Sequence, residues 1–150
     1  MAVQRDNAVE QQAAGLEQFV AGYRPLAGVF DEMMDGDGRL TAKNAGLELE
    51  VPQSHVERLR SHIGREVTIG IRPENLHVAT DSDPAGFTFP SKVEVVEQLG
   101  SEILLDVRVG GDTMVAAVDP TIRARVQDQI RLAVNPARLH FFDAHTELAI

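Results

Sequence analysis

The chain has 150 residues, 43% of them hydrophobic, which is enough for one domain or two small barrels that share a core and too much for a disordered tail. Its formal net charge of −9 argues against a nucleic-acid surface, because phosphate binding needs clustered lysine and arginine. The absence of cysteine excludes disulfides and thiolate metal sites, and no apolar run approaches the roughly 20 residues that span a bilayer, so we expect no direct membrane insertion.

The first part of the chain, residues 1–26, is predicted to be a linker-like segment. It is rich in Gln, Ala and charged residues, and four apolar residues lie at helical spacing. That pattern leaves a short helix and a frayed linker equally open. We expect the folded domain to span residues 27–150.

The next segment is predicted to contain short strands separated by turns. Residues 35–38 (Asp-Gly-Asp-Gly) and 44–46 (Asn-Ala-Gly) are strong turn formers, since Gly and Asn tolerate positive φ. Residues 39–43 and 47–51 then read as two short strands.

Residues 52–63 are the best helix candidate in the chain. Val56, Leu59 and Ile63 recur at positions i, i+3 and i+7, and Gly64 follows where a helix would stop. Immediately afterwards, the alternating apolar residues of 67–71 predict a strand. Pro73 is expected to end its pairing, because proline has no amide hydrogen.

The loop at 81–86 (Asp-Ser-Asp-Pro-Ala-Gly) is the strongest internal boundary, and it predicts two subdomains. After it the pattern alternates again, with Gly110-Gly111 as a hairpin turn. The many short strands and single helix predict a mainly β fold of small antiparallel barrels rather than βαβ units. The strands expected after the loop are 87–97, 102–109, 113–118, 130–134 and 139–142.

Catalytic motifs are missing from the chain. A phosphate-binding loop needs Gly-x-x-x-x-Gly-Lys followed by Ser or Thr, yet neither lysine, Lys43 or Lys92, follows a glycine. No Ser-Gly-Gly-Gln signature and no Gly-x-Ser-x-Gly elbow occurs either. We therefore predict that the chain is not an enzyme by itself and contains no catalytic residue.

Metal binding is also disfavoured. Residues 35–41 resemble a calcium loop, but Met33 would fall at its first position and Asn44 at its twelfth, where a bidentate Glu is needed. His55 and His62 are seven residues apart, whereas zinc-binding histidine pairs usually need a spacing of three or four. We expect a hairpin turn at 35–41, surface or packing histidines, and no metal site.

Three short segments, in this order, resemble one known family. They are Gly-Ile-Arg-Pro-Glu at 70–74, Leu99-Gly100, and Phe142-Asp143. The chain resembles the C-terminal accessory (TOBE, OB-like) domain of ATP-binding subunits in ABC importers of sugars, polyols or glycerol phosphates. The Phe-Val-Ala-Gly at 19–22 resembles the segment that closes the family's ATPase domain. This chain departs from the family at 23–28 and at Glu147, where the family usually has Gly.

The resemblance implies a pair of OB-like β-barrel subdomains that join two ATPase subunits and receive regulatory signals. It implies a homodimer, with the transporter's ATPase and membrane subunits and a regulatory protein as partners, and no nucleic acid. No cofactor would bind this chain, since ATP and Mg²⁺ would lie on the ATPase domain that the sequence lacks. The location would be cytoplasmic, peripheral to the inner membrane through the transporter subunits.

The expected partner or regulatory contacts are two charged segments. The first flanks Pro73, although turn chemistry alone also explains that proline. The second is the turn around Gly100, which a plain hairpin also explains. An alternative function is a stand-alone barrel that binds a small oxyanion of the molybdate type, with Ser101 and Lys92 recruited beside that turn. The residues assigned to partner contact are Arg72, Glu74, Glu97, Gln98, Gly100, Ser101 and Glu102.

Overall fold

The computed structural model describes residues 39–44 and 46–150, together with the backbone of two short strands, β1 (Arg24–Leu26) and β2 (Met33–Met34). The segment predicted to be linker-like is 1–26, and its last three residues, Arg24–Leu26, form strand β1, which pairs with residues 69–71. The rest of that segment, with the Phe-Val-Ala-Gly at 19–22, and the Asp-Gly-Asp-Gly turn at 35–38 lie outside the described residues. No helix in the described part of the chain is long and apolar enough to cross a membrane.

The described residues form a mainly β fold with one short helix, as the sequence predicts. All pairings between the described strands are antiparallel. Four 3₁₀ turns lie between the elements, at Arg60–His62, Pro73–Asn75, Ala85–Phe87 and Pro136–Arg138. The remaining elements are β3 (Leu40–Lys43), β4 (Glu48–Glu50), α1 (Gln53–Leu59), β5 (Val67–Ile71), β6 (Leu76–Val78), β7 (Thr88–Gln98), β8 (Ile103–Val109), β9 (Asp112–Val118), β10 (Gln129–Val134) and β11 (His140–Asp143).

These strands form three sheets. The largest has the order β6-β10-β7-β8-β9, and two three-stranded sheets have the orders β1-β5-β11 and β2-β3-β4. The sequence did not predict β6, because its three residues follow the Pro73–Asn75 turn too closely to show an alternation of their own. β6 nevertheless pairs with β10, so a strand before the 81–86 loop joins a sheet built after it.

The helix is shorter than the predicted 52–63. α1 ends at Leu59 and continues as the 3₁₀ turn Arg60–His62, where three residues per turn replace 3.6. Val56 and Leu59 are buried as expected, but this change of pitch leaves Ile63 42% exposed. Gly64 then takes a φ of +75°, which confirms its predicted role in ending the helical segment.

Strand β7 contains a β-bulge that explains an exposed valine. Val93 pairs with Val107 and Val95 with Asp106, so Glu94 is the extra residue. A bulge shifts the alternation of side chains by one residue. Val93 is therefore fully buried while Val95 is 42% exposed.

One hydrophobic core contains residues from both sides of the 81–86 loop. Its cluster includes β3, β4, α1 and β5 as well as β7, β8, β10 and β11. The division into two subdomains at 81–86 stays a prediction, and the two parts share this core. The largest fully buried side chains are Phe89, Leu40, Leu47, Leu49, Leu59, Ile69, Leu76, Leu105, Leu132 and Leu139.

Two hairpin turns meet at the surface near Gly46. A Cβ atom at Gly46 would collide with the backbone of Gly110 in the β8–β9 turn. The side-chain amide of Asn44 donates to Asp112 Oδ2 at 3.2 Å, across the same contact. The β3–β4 and β8–β9 hairpins are therefore held together by a close backbone approach that needs glycine.

Candidate partner-contact site

The Gly-Ile-Arg-Pro-Glu segment places two charged side chains at the surface. Gly70 is buried at the centre of the β1-β5-β11 sheet, where it faces Pro25 on one side and His140 on the other. β5 ends before Pro73, as predicted, and Pro73 begins a 3₁₀ turn in which the Asn75 N–H donates to the Arg72 carbonyl at 2.9 Å. Arg72 and Glu74 are both exposed on either side of this turn.

These two residues line a cleft of about 410 Å³ whose other walls come from far along the chain. Asn75, Arg138 and His140 complete the lining. The pairing of β11 with β5 brings His140 opposite Gly70 and carries Arg138 with it. The cleft is therefore polar and charged, with two guanidinium groups beside one carboxylate, and it suits a charged partner group rather than an apolar one.

The second predicted segment forms the tip of the β7–β8 hairpin. The Leu99 N–H donates to the Glu102 carbonyl at 3.0 Å across a two-residue turn made by Gly100 and Ser101. Gly100 has a φ of +87°, which only glycine adopts without strain at the first central position of such a turn. The whole tip is exposed, with Leu99 54% exposed.

The structure groups the predicted contact residues in two places. Arg72 and Glu74 share the cleft beside Pro73, whereas Glu97, Gln98, Gly100, Ser101 and Glu102 share the hairpin and contribute nothing to the cleft lining.

Lys92 and Ser101, the residues considered for an oxyanion, are not brought together. Lys92 pairs with Arg108 near the middle of β7, while Ser101 follows the end of that strand. Gln98, the last residue of β7, is six positions after Lys92, which puts Lys92 and Ser101 roughly 20 Å apart. These two side chains cannot hold one small anion together.

The Phe142-Asp143 segment is built into a tight turn that returns the end of the chain to β11. The Asp143 carboxylate accepts hydrogen bonds from the N–H groups of His145 at 2.9 Å and Thr146 at 2.8 Å. Its other oxygen lies 3.4 Å from His62 Nε2. These contacts, led by the Thr146 and His145 N–H groups, lower the pKa of the Asp143 carboxyl.

This lowered pKa predicts a loss of stability in acid. A carboxylate whose pKa is lower when folded stabilises the protein above its unfolded pKa, and that contribution disappears as the pH falls through the folded value. Asp143→Asn should therefore reduce the free energy of unfolding at pH 7, by an amount that shrinks once the pH is below about 4. Urea unfolding of both proteins at pH 7 and pH 3 measures this. An unchanged difference at pH 3 would contradict the role given to the charge.

Glu147 completes the same turn in a conformation that favours glycine. Its N–H donates to the Asp143 carbonyl at 2.8 Å, and its φ is +59°. The departure from the family's Gly therefore leaves the turn in place, with Glu in the left-handed region at a cost of about 1 kcal/mol.

Glu147→Gly should consequently stabilise the chain. We expect a gain of about 0.5–1 kcal/mol in the free energy of unfolding, since the relief of strain exceeds the entropy that glycine adds to the unfolded state. Glu147→Ala is the matched control, because it removes the same side chain and keeps the strained backbone. Equal stability of the two variants in urea unfolding would show that the backbone conformation is not the cause.

His55, one of the two histidines considered for zinc, packs against an aromatic ring. The ring of His55 lies 5.1 Å from that of Phe141. Partial burial, followed by the charges of Arg58 and His140, lowers the pKa of His55. Among the described residues no group of three or more potential metal ligands comes together.

Sequence reasoning missed Arg138 and His140 as cleft residues. They are more than 60 residues from Arg72 in the chain, and no local pattern shows that β11 pairs with β5. It also missed a groove of about 580 Å³ between the β3–β4 hairpin and the start of β7, whose lining includes Arg131. The Arg131 Nη2 donates to the Thr88 hydroxyl there at 2.7 Å.

Together, these elements define a mainly β, OB-like domain with a charged cleft at its surface. The MalK OB fold domain family matches residues 32–76 and the TOBE domain family matches residues 69–142. The family matches include no ATPase domain. The chain belongs to the family in which an OB-fold domain is followed by a TOBE domain, as found in ABC importer ATP-binding proteins.

Full-length relatives agree with the family matches. The chain is 34% identical over 137 residues to the trehalose/maltose import ATP-binding protein MalK of Thermococcus litoralis, covering 88% of this chain and 37% of that protein. It is 31% identical over 141 residues to the ABC transporter ATP-binding protein YurJ of Bacillus subtilis (88% and 38%). For the oligosaccharides import ATP-binding protein MsmX of the same organism the identity is 30% over 116 residues (76% and 32%). The chain thus spans about a third of these relatives.

A solved structure shows the same type of fold. The cytoplasmic molybdate-binding protein ModG, in a form with molybdate bound, matches with a TM-score of 0.57 at 12% sequence identity. The match covers 79% of this chain and 94% of that one. At this identity the likeness concerns the fold alone, and it confirms the OB-like architecture predicted from the sequence.

Proposed function

We propose that this chain is the regulatory and assembly domain of an ABC importer ATP-binding subunit that serves sugar, polyol or glycerol-phosphate uptake. One observation carries the proposal: the OB and TOBE matches follow one another over residues 32–142, in the region that aligns with the C-terminal third of sugar importer subunits. The importer names of MalK and MsmX support the solute class. The role is not catalytic, because hydrolysis would belong to the ATPase domain.

In this role the chain forms a homodimer through exposed barrel faces. The dimer positions two ATPase domains and biases their closed state, which is a coupling of binding free energies between separate sites. ATP and Mg²⁺ bind the ATPase domains, and the membrane subunits hold the assembly at the inner face of the membrane. A regulatory protein that binds the accessory domain then changes the closing equilibrium without touching the nucleotide.

The charged cleft and the hairpin tip are the proposed partner contacts. Arg72 and Glu74 are exposed and line the cleft, and the exposed Arg138 lines it with them. Paired opposite charges give a contact its orientation and partner choice more than its affinity. Reversing both charges keeps the net charge and inverts that pattern.

The test is a double charge reversal in the complete subunit. Arg72→Glu with Glu74→Arg should weaken assembly with the partner subunits or solute-stimulated ATPase activity by about tenfold or more. The matched control is Arg65→Glu with Glu66→Arg, an exposed neighbouring pair outside the cleft. If both double variants assemble and transport like the unmodified subunit, the cleft has no part in regulation or assembly.

A stand-alone oxyanion carrier is the second candidate, and the fold likeness to ModG is what favours it. It requires a molybdate-type anion held by backbone amides and a few cations. The separation of Lys92 and Ser101 and the net charge of −9 count against it. Equilibrium titration with molybdate, tungstate and sulfate tests it, and no binding of any of the three removes it.

A further inference from the structure

The outer half of strand β7 has an edge to which no described strand is bonded. On one side β7 pairs with β8 as far as Gln98. On the other side β10 pairs only with residues from Thr88 to Lys92. Two further hydrogen bonds, Gln127 N–H to the Val93 carbonyl at 2.8 Å and Val93 N–H to the Asp128 carbonyl at 2.9 Å, end the contact. From Val95 to Gln98 this edge is open within the described part of the chain.

The open edge presents the backbone groups of Val96 and Gln98. The Leu99 N–H points towards β8, where it donates to Glu102. Because successive residues of a strand direct their N–H and C=O groups to opposite sides, Glu97 also faces β8 while Gln98 and Val96 face outwards. Two donors and two acceptors are therefore aligned for a further strand.

The side chains beside this edge are apolar and acidic. Val95 is 42% exposed and Leu99 54% exposed, on the same face as Glu97. Asp106 lies opposite Val95 on β8, and Glu102 closes the turn opposite Leu99. None of the three carboxylates forms an ion pair with a described residue, the exposed arginines of the β9–β10 connection included.

We propose that the open edge of β7 binds an extended, basic segment of a partner protein by β-strand addition. Backbone bonds to Val96 and Gln98 supply the register. Apolar side chains of the added strand cover Val95 and Leu99, and a lysine or arginine two residues from each, on the same face, approaches Glu97, with Glu102 and Asp106 one strand further away. Strand addition gains affinity from main-chain bonds and specificity from alternate side chains. The inference rests on the proposed function, since it names the partner chemistry for the hairpin contact.

A second copy of this chain is a poorer occupant of the edge. Two β7 edges paired antiparallel would bring the Glu97 carboxylates of both copies together across a twofold axis, with Glu102 and Asp106 of each copy one strand further away. Like charges facing each other across paired strands are destabilising. The dimer of the proposed function therefore uses another surface and can be measured separately.

The probe is a capped seven-residue peptide, Thr-Val-Thr-Lys-Thr-Val-Thr, which places its two valines and the lysine between them on one face of the added strand. Amide hydrogen exchange of the full chain, followed by NMR, should show the Val96 and Gln98 amides exchanging about tenfold more slowly at a free peptide concentration of ten times the Kd. The matched peptide with glutamate in place of lysine should give no protection. Equal protection by both peptides would overturn the charge argument.

Two variants separate backbone pairing from side-chain contact. Gln98→Pro removes the outward N–H and should weaken peptide binding at least about tenfold, whereas Gln98→Ala keeps the N–H and should bind within about twofold of the unmodified chain. If Gln98→Pro does not fold, Glu97→Lys with Glu102→Lys replaces it. That variant should lose the lysine peptide and bind the glutamate peptide instead.

Three results would overturn the inference. They are unchanged peptide binding by Gln98→Pro, protection of Val96 and Gln98 in the free chain at all concentrations, and protection that grows with protein concentration. The second means that the chain covers its own edge, and the third that a second copy does. The mass of the Gln98→Pro protein in native mass spectrometry reports the dimer independently, so loss of peptide binding and failure of the proposed dimer are distinguishable.

Discussion

Replacing Gly46 by alanine should destabilise the domain by about 2–4 kcal/mol, one of the largest effects that a single methyl group can have here. The added Cβ would collide with the backbone of Gly110. Backbone atoms cannot move aside as the end of a flexible side chain can. The two hairpins would have to separate, and separation would also break the bond from Asn44 to Asp112.

The matched control for this variant is Gly111→Ala in the same β8–β9 turn. A Cβ at Gly111 meets nothing within 4 Å, so its effect on the free energy of unfolding should stay within about 0.5 kcal/mol. Urea unfolding of the three proteins measures the difference. Equal stability of Gly46→Ala and Gly111→Ala would show that the hairpins are not in close contact.

Phe89→Ala should cost about 3–5 kcal/mol, because it removes a large side chain from the middle of the shared core. Phe89 is 1% exposed and lies opposite Leu132 in the sheet. The core also contains Leu49 from the other side of the 81–86 loop. We therefore expect Phe89→Ala and Leu49→Ala to lower the midpoint of one cooperative transition.

Leu99→Ala serves as the control for these core variants. It removes a side chain of similar chemistry from the exposed hairpin tip, and its effect should stay below about 0.5 kcal/mol. Calorimetry of the unmodified chain and the three variants tests whether both parts of the chain share one core. Two separate transitions, with only one moved by Phe89→Ala, would mean that the parts of the chain on either side of the loop unfold independently.

Strand positions were predictable from the sequence wherever side chains alternate between a buried and an exposed face. β5 and β8 are of this kind, and the predicted and observed ends agree within one residue. The pattern failed where a local change of geometry breaks the period. Ile63 was placed in the helix because the 3₁₀ turn before it leaves no mark in the spacing of apolar residues. Short β6 had too few residues to show a period at all.

The candidate site was predictable only in part. The turns around Pro73 and Gly100 are local features, so the exposed charges beside them could be found from the sequence. The cleft could not, because Arg138 reaches Arg72 only through the pairing of β11 with β5. Non-local strand pairing is decided by the packing of the whole core, and a single sequence gives no direct signal of it. The open edge of β7 also results from non-local strand pairing, so it could not be predicted from the sequence either.

Native mass spectrometry of the purified chain is the sharpest test of the assembly role, because it reports subunit number and retained small ligands together. An accessory domain that joins two ATP-binding subunits predicts a dimer without a bound ligand. A trimer or hexamer that carries the mass of an oxyanion would contradict the assembly role and favour the anion carrier.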